Sequence, residues 1–267
     1  MLRRALRLPR VSDIEPDNPA SILVDVVFRR CQFLDNNGCG VQMNIGNLLH
    51  DVDAPMSILF EDCDVSWRDD YPFESPFYDG SGYMVGAGKT AGSVTVRGGT
   101  VTGSAGAGII VDSKHLSGPT VTFVDVTLNN TGRVDEGFGN DTWMHVSPIM
   151  LFDGAGGIGG IWFETVRVIM GGATFPATGV AAVSPQSFLS YFKCDSPAIC
   201  GTANVTWPHV IGDIRGNIEV EWQGSEQECT PRLLHDGEAL VNGSVYGHEL
   251  MQNVSVSCTK RRANPRG

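Results

Sequence analysis

The sequence predicts an all-β solenoid, a parallel β-helix whose coils carry loop excursions. Three observations point there: an internal repeat of strand-like segments, a second repeat of short apolar runs between them, and gaps without helical periodicity. The first repeat comprises segments 26–33, 58–65, 94–101, 121–128 and 161–168. Each has apolar residues at its first, third and eighth positions, as in Val26, Phe28 and Phe33 or Ile161, Phe163 and Val168. The sixth position holds Cys31, Cys63, Gly99, Val126 and Val166. Alternation of this kind buries one face of a strand, and the two-polar step in mid-segment reads as a bend or short turn.

The second repeat aligns segments 11–15, 40–44, 82–86, 108–112 and, less closely, 148–152. Segment starts in the first repeat lie 32, 36, 27 and 40 residues apart. A parallel sheet with crossover helices would need a sustained i, i+3, i+4 pattern in each gap. The gaps hold Gly, Asn, Asp, Pro and the second apolar run instead. Strand, turn, strand, turn at one coil per repeat is a solenoid. The coil pattern runs over residues 11–258 and is less regular after about residue 170. A basic tail or truncated start occupies 1–10, and a second basic tail 259–267. Residues 1–20 supply too little for a full coil plus a cap, so the first coil is expected to be covered by upstream sequence or another chain.

Composition narrows the function. A formal net charge of −11 opposes nucleic-acid binding, which needs a cationic footprint. No run approaches the roughly 18 apolar residues of a membrane span. Five N-x-S/T sequons, at Asn129, Asn140, Asn204, Asn242 and Asn253, are compatible with glycosylation and an extracellular or cell-surface location. Asn-rich turns that lead into Ser/Thr-rich strands also generate such triplets by accident. Among the seven cysteines, Cys194 with Cys200 and Cys229 with Cys258 could form disulfides in an oxidising compartment. Cys31 and Cys63 share one inward position in adjacent coils and read as a ladder of buried thiols, a disulfide between them being the alternative.

The run Phe28, Cys31, Phe33, Asp35, Asn36, Gly38, Gly40, Val41 has the coil spacing F-x-x-C-x-F-x-D-N-x-G-x-G-V. Here the chain resembles the pectin-lyase-like superfamily of right-handed, single-stranded parallel β-helices, well over about residues 11–170 and loosely beyond. The resemblance implies that fold and an outer strand face that acts on polysaccharide. It brings no catalytic residue. The N-T-D, G-D-D, G-H-G and R-I-K motifs of polygalacturonases, the R-x-P-x-x-R of pectate lyases and the Y-G-F-D-P-H of alginate epimerases are all missing.

Two excursions, 67–79 and 129–146, follow the same strand of their coils and should emerge at one edge, two coils apart. Trp67, Asp69, Asp70 and Tyr71 on one, with Asp135, Glu136, Asp141 and Trp143 on the other, are candidate glycan contacts. Aromatic rings stack on sugar faces, and carboxylates bond hydroxyls or act as acid and base. If Val41 and Met43 point inward, Gln42 and Asn44 point outward, and Asn44 joins the candidate glycan contacts. Alignment then adds Asp13, Glu15 and Asp112, with Lys114 and His115 just beyond, as candidate catalytic groups for hydrolysis or β-elimination. The plain alternative is that outward polar residues only solvate the face. No cofactor is implied, and Ca2+ is the cation an acidic loop of this type could take. The expected function is a secreted glycosidase or polysaccharide lyase. Its rival is a non-catalytic extracellular β-helix: an adhesin, a glycan-binding protein or an assembly element.

Overall fold

The computed structural model describes residues 12–16, 18, 20–36, 39–45, 55–67, 81–87, 91–104, 106–113, 119–132, 147–153, 158–170, 188–193, 211–222, 232–235, 238–239 and 253–260. These residues are all-β, with parallel sheets and no helix, in a strongly curled, solenoid-like arrangement. Strand β1 (Ser12–Ile14) precedes four coils of three strands each. The first coil holds β2 (Val26–Arg29), β3 (Gln32–Asn36) and β4 (Val41–Asn44), and the second β5 (Met56–Glu61), β6 (Asp64–Trp67) and β7 (Tyr83–Ala87). The third holds β8 (Gly92–Arg97), β9 (Thr100–Thr102) and β10 (Ile109–Ser113), and the fourth β11 (Thr120–Val124), β12 (Thr127–Asn129) and β13 (Ile149–Asp153). Later, β14 (Ile158–Met170) runs as one strand through both positions of the first segment, followed by β15 (Leu189–Lys193). Next come β16 (Ile211–Trp222), β17 (Arg232–His235), β18 (Glu238–Ala239) and β19 (Asn253–Lys260).

Each strand pairs in parallel with its counterpart one coil away, except the antiparallel β17–β18 pair. One sheet runs β1-β4-β7-β10-β13-β15-β17-β18. The other joins the ladders β2-β5-β8-β11 and β3-β6-β9-β12 through the long β14, which also pairs β16, and β16 pairs β19. The register is the one the repeat predicts. Phe28 pairs with Phe60, Phe60 with Val96, Val96 with Phe123 and Phe123 with Phe163. Phe28 and Phe60 stack at 4.6 Å between centroids, and Phe123 and Phe163 at 5.9 Å. One continuous core runs through the coils, with Phe60, Val96, Phe123 and Phe163 fully buried.

Each early segment is two strands rather than one bent strand. A left-handed residue stands at the break: Arg30, Asp62, Gly98, Asp125 and, inside β14, Thr165, with φ between +51° and +65°. Such a φ costs a non-glycine residue about 1–2 kcal/mol. It is sustained because these corners stack. The amides of Arg30, Asp62, Gly98 and Asp125 donate to the carbonyls of Glu61, Arg97, Val124 and Glu164 one coil on, each at 2.8 Å. Every corner thereby feeds the next.

The exposed large apolar side chains among the described residues, Ile22, Val24 and Val27, all belong to the first coil. There Val26, Phe28 and Cys31 are only half-buried, and among the described residues β2 has a strand partner on one side alone.

Cys31 and Cys63 are free thiols at the matching position of adjacent coils, as a buried ladder requires. Burial pushes the Cys63 thiol up to about 11 and raises the Tyr83 phenol well above its usual range, the nearby Cys63 adding to the effect on Tyr83. A thiol held protonated in this way is a packing group rather than a nucleophile. The unfolded chain releases both protons at their ordinary values of 9.0 and 10.0. The stability held by the two groups is therefore fully present below about pH 9 and lost as pH rises. Each can contribute a slope of up to about 1.4 kcal/mol per pH unit. The Tyr83 hydroxyl also lacks a hydrogen-bond partner. Tyr83→Phe is expected to add about 1–2 kcal/mol at neutral pH and to flatten the alkaline loss. Urea unfolding at pH 7 and about pH 10.5 measures both, and a less stable variant with an unchanged alkaline slope would sink the idea.

Candidate functional site

The β1-β4-β7-β10 ladder arranges the predicted polar column only in part. Val41 and Met43 point inward and are fully buried, and Gln42 and Asn44 lie between them on the other face. Asp13 pairs with Gln42, and the Asn44 side-chain amide donates to Glu15 Oε1 at 2.8 Å. Burial, then the neighbouring Glu15, raises the Asp13 carboxyl above its ordinary value. Asn44 pairs with Gly86, and Gly86 with Asp112. Three strand steps thus separate Glu15 from Asp112, about 14 Å. A glycosidase acid–base pair sits roughly 5–9.5 Å apart, so these two do not form one.

The same face changes character along the ladder. Gln42 is followed in register by Met84, Ile110 and Met150, and all three are buried. Their neighbours Tyr83, Val85, Ile109 and Val111 fill the core on the opposite face. Both faces of this sheet are therefore buried through the middle coils. The row of Asp13 and Gln42 thus turns apolar beyond β4, whereas the row of Asn44 continues through Gly86 to Asp112.

Trp67, expected to offer its ring to a glycan, is only 7% exposed. In β6 the inward positions are Val65 and Trp67, with Ser66 on the outer face, so strand alternation commits the indole to the core. Lys114, His115, Asp69, Asp70, Tyr71, Asp135, Glu136, Asp141 and Trp143 lie outside the described residues. So do the sequons at Asn140, Asn204 and Asn242, and Cys194, Cys200 and Cys229. Cys258 is an exposed residue of β19. Asn129 is half-buried in β12, and Asn253 is exposed at the start of β19. No group of three or more His, Cys, Asp or Glu able to hold a metal occurs among the described residues. No helix among them is long and apolar enough to cross a membrane.

A site that sequence reasoning missed lies on the outer face of β14, β16 and β19. Ile161 and Phe163 point into the core, so Trp162 and Glu164 face outward. Trp162 pairs with Arg215, and Arg215 with Asn253, while Asn217 pairs with Ser255. These residues and Gly216 line an open cleft of about 550 Å³. The Arg215 guanidinium lies over the Trp162 ring, 3.9 Å from its centre, a cation–π contact that holds a long side chain against an indole. The Trp162 Nε1 is buried without a hydrogen-bond partner.

A β-bulge shapes the cleft. Between the pairs Phe163–Gly216 and Val166–Ile218, β14 has two residues where β16 has one. The extra residue is accommodated by Thr165 at φ +61° and Gly216 at φ +129°. A Cβ at Gly216 would lie 1.8 Å from the Phe163 carbonyl oxygen, so the strands can close only on glycine. Bulges bend a strand and re-aim its side chains, and here the bulge falls beside Glu164 and Asn217. The sequence carried one signal for this site. The outward second position of the repeat reads Val27, Leu59, Thr95, Thr122 and then Trp162, a large aromatic where small or aliphatic side chains stand elsewhere. Comparison of the chain with protein-family models, with curated proteins and with solved structures finds no match.

Proposed function

We propose that the chain is a right-handed parallel β-helix of the pectin-lyase-like type that works outside the cell as a glycan-binding protein, through the cleft between Trp162 and Asn253. The carrying observation is the composition of that cleft: an indole and a guanidinium stacked together, ringed by the amides of Asn217 and Asn253, the Ser255 hydroxyl and the Glu164 carboxylate. Flat groups of this kind pack against sugar rings, and amides and carboxylates supply the paired donors and acceptors that hydroxyls need. Sequons and the strand-rich solenoid support the extracellular location.

Binding is favoured over hydrolysis by the carboxylate count. Glycoside hydrolysis uses two carboxyl groups flanking one bond, and Glu164 is the single carboxylate among the described residues lining the cleft. The test uses chain made in a host without N-glycosylation and titrated against a panel of neutral and acidic polysaccharides. Trp162→Ala or Asn217→Ala is expected to weaken binding by about 1–2 kcal/mol, roughly a 5- to 30-fold rise in Kd. Product formation should not occur. Wild-type chain that binds no member of the panel, or Trp162→Ala that binds as well as wild type, would reject the proposal.

A further inference from the structure

The sequon Asn253-Val254-Ser255 opens directly onto this cleft: Asn253 and Ser255 are exposed outward residues of β19, and both line it. We infer that Asn253 carries an N-linked glycan whose first sugars lie along the cleft against Arg215 and Trp162, so that the protein's own glycan is the cleft's resident ligand. The inference rests on the reading of the cleft as a saccharide site, and adds where its occupant comes from.

Two features of the site support this. Asn253 pairs with Arg215, which pairs with Trp162, so Asn253 stands two strand spacings from the indole, about 10 Å. That distance matches roughly two linked pyranose rings, which places a disaccharide rooted at Asn253 over the guanidinium with its far end at Trp162. Among the described residues β19 pairs with β16 alone, and Asn253 and Ser255 are both exposed. The other described sequon provides the contrast. Asn129 is half-buried in β12, flanked in register by Thr102 on one side and Ile169 on the other. A glycan there would project from the middle of a continuous sheet.

The attachment chemistry is that of the secretory pathway. The Asn253 side-chain amide nitrogen attacks the anomeric carbon of an oligosaccharide carried on a polyprenyl pyrophosphate. A C–N bond forms as the C–O bond to the pyrophosphate breaks. The amide loses a proton, and the lipid pyrophosphate leaves with the bonding electrons. Once attached, the glycan is present at the cleft at a high effective concentration set by its short tether. An external sugar must then displace it. Glycosylated chain is therefore a masked form of the binder, and enzymatic removal of the glycan unmasks it.

The experiment expresses the full chain in a glycosylating secretory host. Glycopeptide mass spectrometry reads occupancy at Asn253, and an amidase that releases N-glycans is applied to the folded chain. Release from Asn253 should be slow in the wild type and faster by about fivefold or more in Trp162→Ala, the low end for losing an aromatic contact. Arg215→Ala, which removes the other side chain that the glycan lies against, serves as a second variant should Trp162→Ala fold poorly by circular dichroism. An unoccupied Asn253, or release as fast in the wild type as in both variants, overturns the inference. The two proposals fail separately. Unglycosylated chain that binds the panel while Asn253 is unprotected leaves only the proposed function. A protected Asn253 glycan on a chain that binds no panel member leaves only the resident glycan.

Discussion

Replacing Phe60 by Ala is expected to lower the unfolding free energy by about 3–5 kcal/mol. Phe60 is fully buried, stacked within 5° of parallel on Phe28 at 4.6 Å, and edge-on to Phe33 at 6.3 Å and to Tyr83 at 5.6 Å. It therefore touches aromatic rings from both sheets. Removing its ring leaves a void in a part of the core that cannot collapse, because the strand spacing on either side is held by the hydrogen-bond ladder. Phe28, one coil earlier in the same column, is only half-buried, and Phe28→Ala should cost about 1–2 kcal/mol. Urea titrations of both variants measure the difference. Equal costs would mean that the first coil is packed as tightly as the second, against the exposure of Val27 and Val24.

Gly99→Ala should be at least as damaging as a cavity, at about 3 kcal/mol or more, although it removes nothing. Gly99 has φ +81°, and an added Cβ would lie 1.9 Å from the Cys63 carbonyl oxygen, a backbone atom that cannot turn aside. Its neighbour Gly98 is the control. At φ +65° it occupies the corner position held by Arg30, Asp62 and Asp125 in other coils, and an added Cβ there would meet chiefly the Asp62 carboxylate, a side chain that can rotate away. Gly98→Asn should cost no more than about 1 kcal/mol, since asparagine tolerates the left-handed region. Two adjacent glycines with opposite tolerances would show that the corner is specified by backbone contact with the previous coil. Similar losses in both variants would refute that account.

Much of this architecture was legible before any coordinates. The column from Phe28 to Phe163 and the inward placement of Val41 and Met43 follow from period-two alternation and a repeat that can be laid over itself. Segment 108–112 also carried a warning that alternation alone did not reveal. Ile109, Ile110 and Val111 form an unbroken apolar run, the mark of a strand buried on both faces. That run foretold the apolar stripe that follows Gln42 in register through Met84, Ile110 and Met150.

By itself the sequence determined the strands, their parallel stacking and their register, because burial of alternate side chains is a local property that each coil repeats. The tertiary structure alone decided which outward residues meet. Trp162, Arg215 and Asn253 are separated by more than thirty residues at each step, and they become neighbours only because β14, β16 and β19 pair in one register. The bulge at Thr165 depends on a glycine 51 residues later. Trp67 turned inward because its strand placed it two residues after Val65. A composition of aromatic and polar residues does not distinguish a ring facing the core from one facing a ligand; the pairing of strands does.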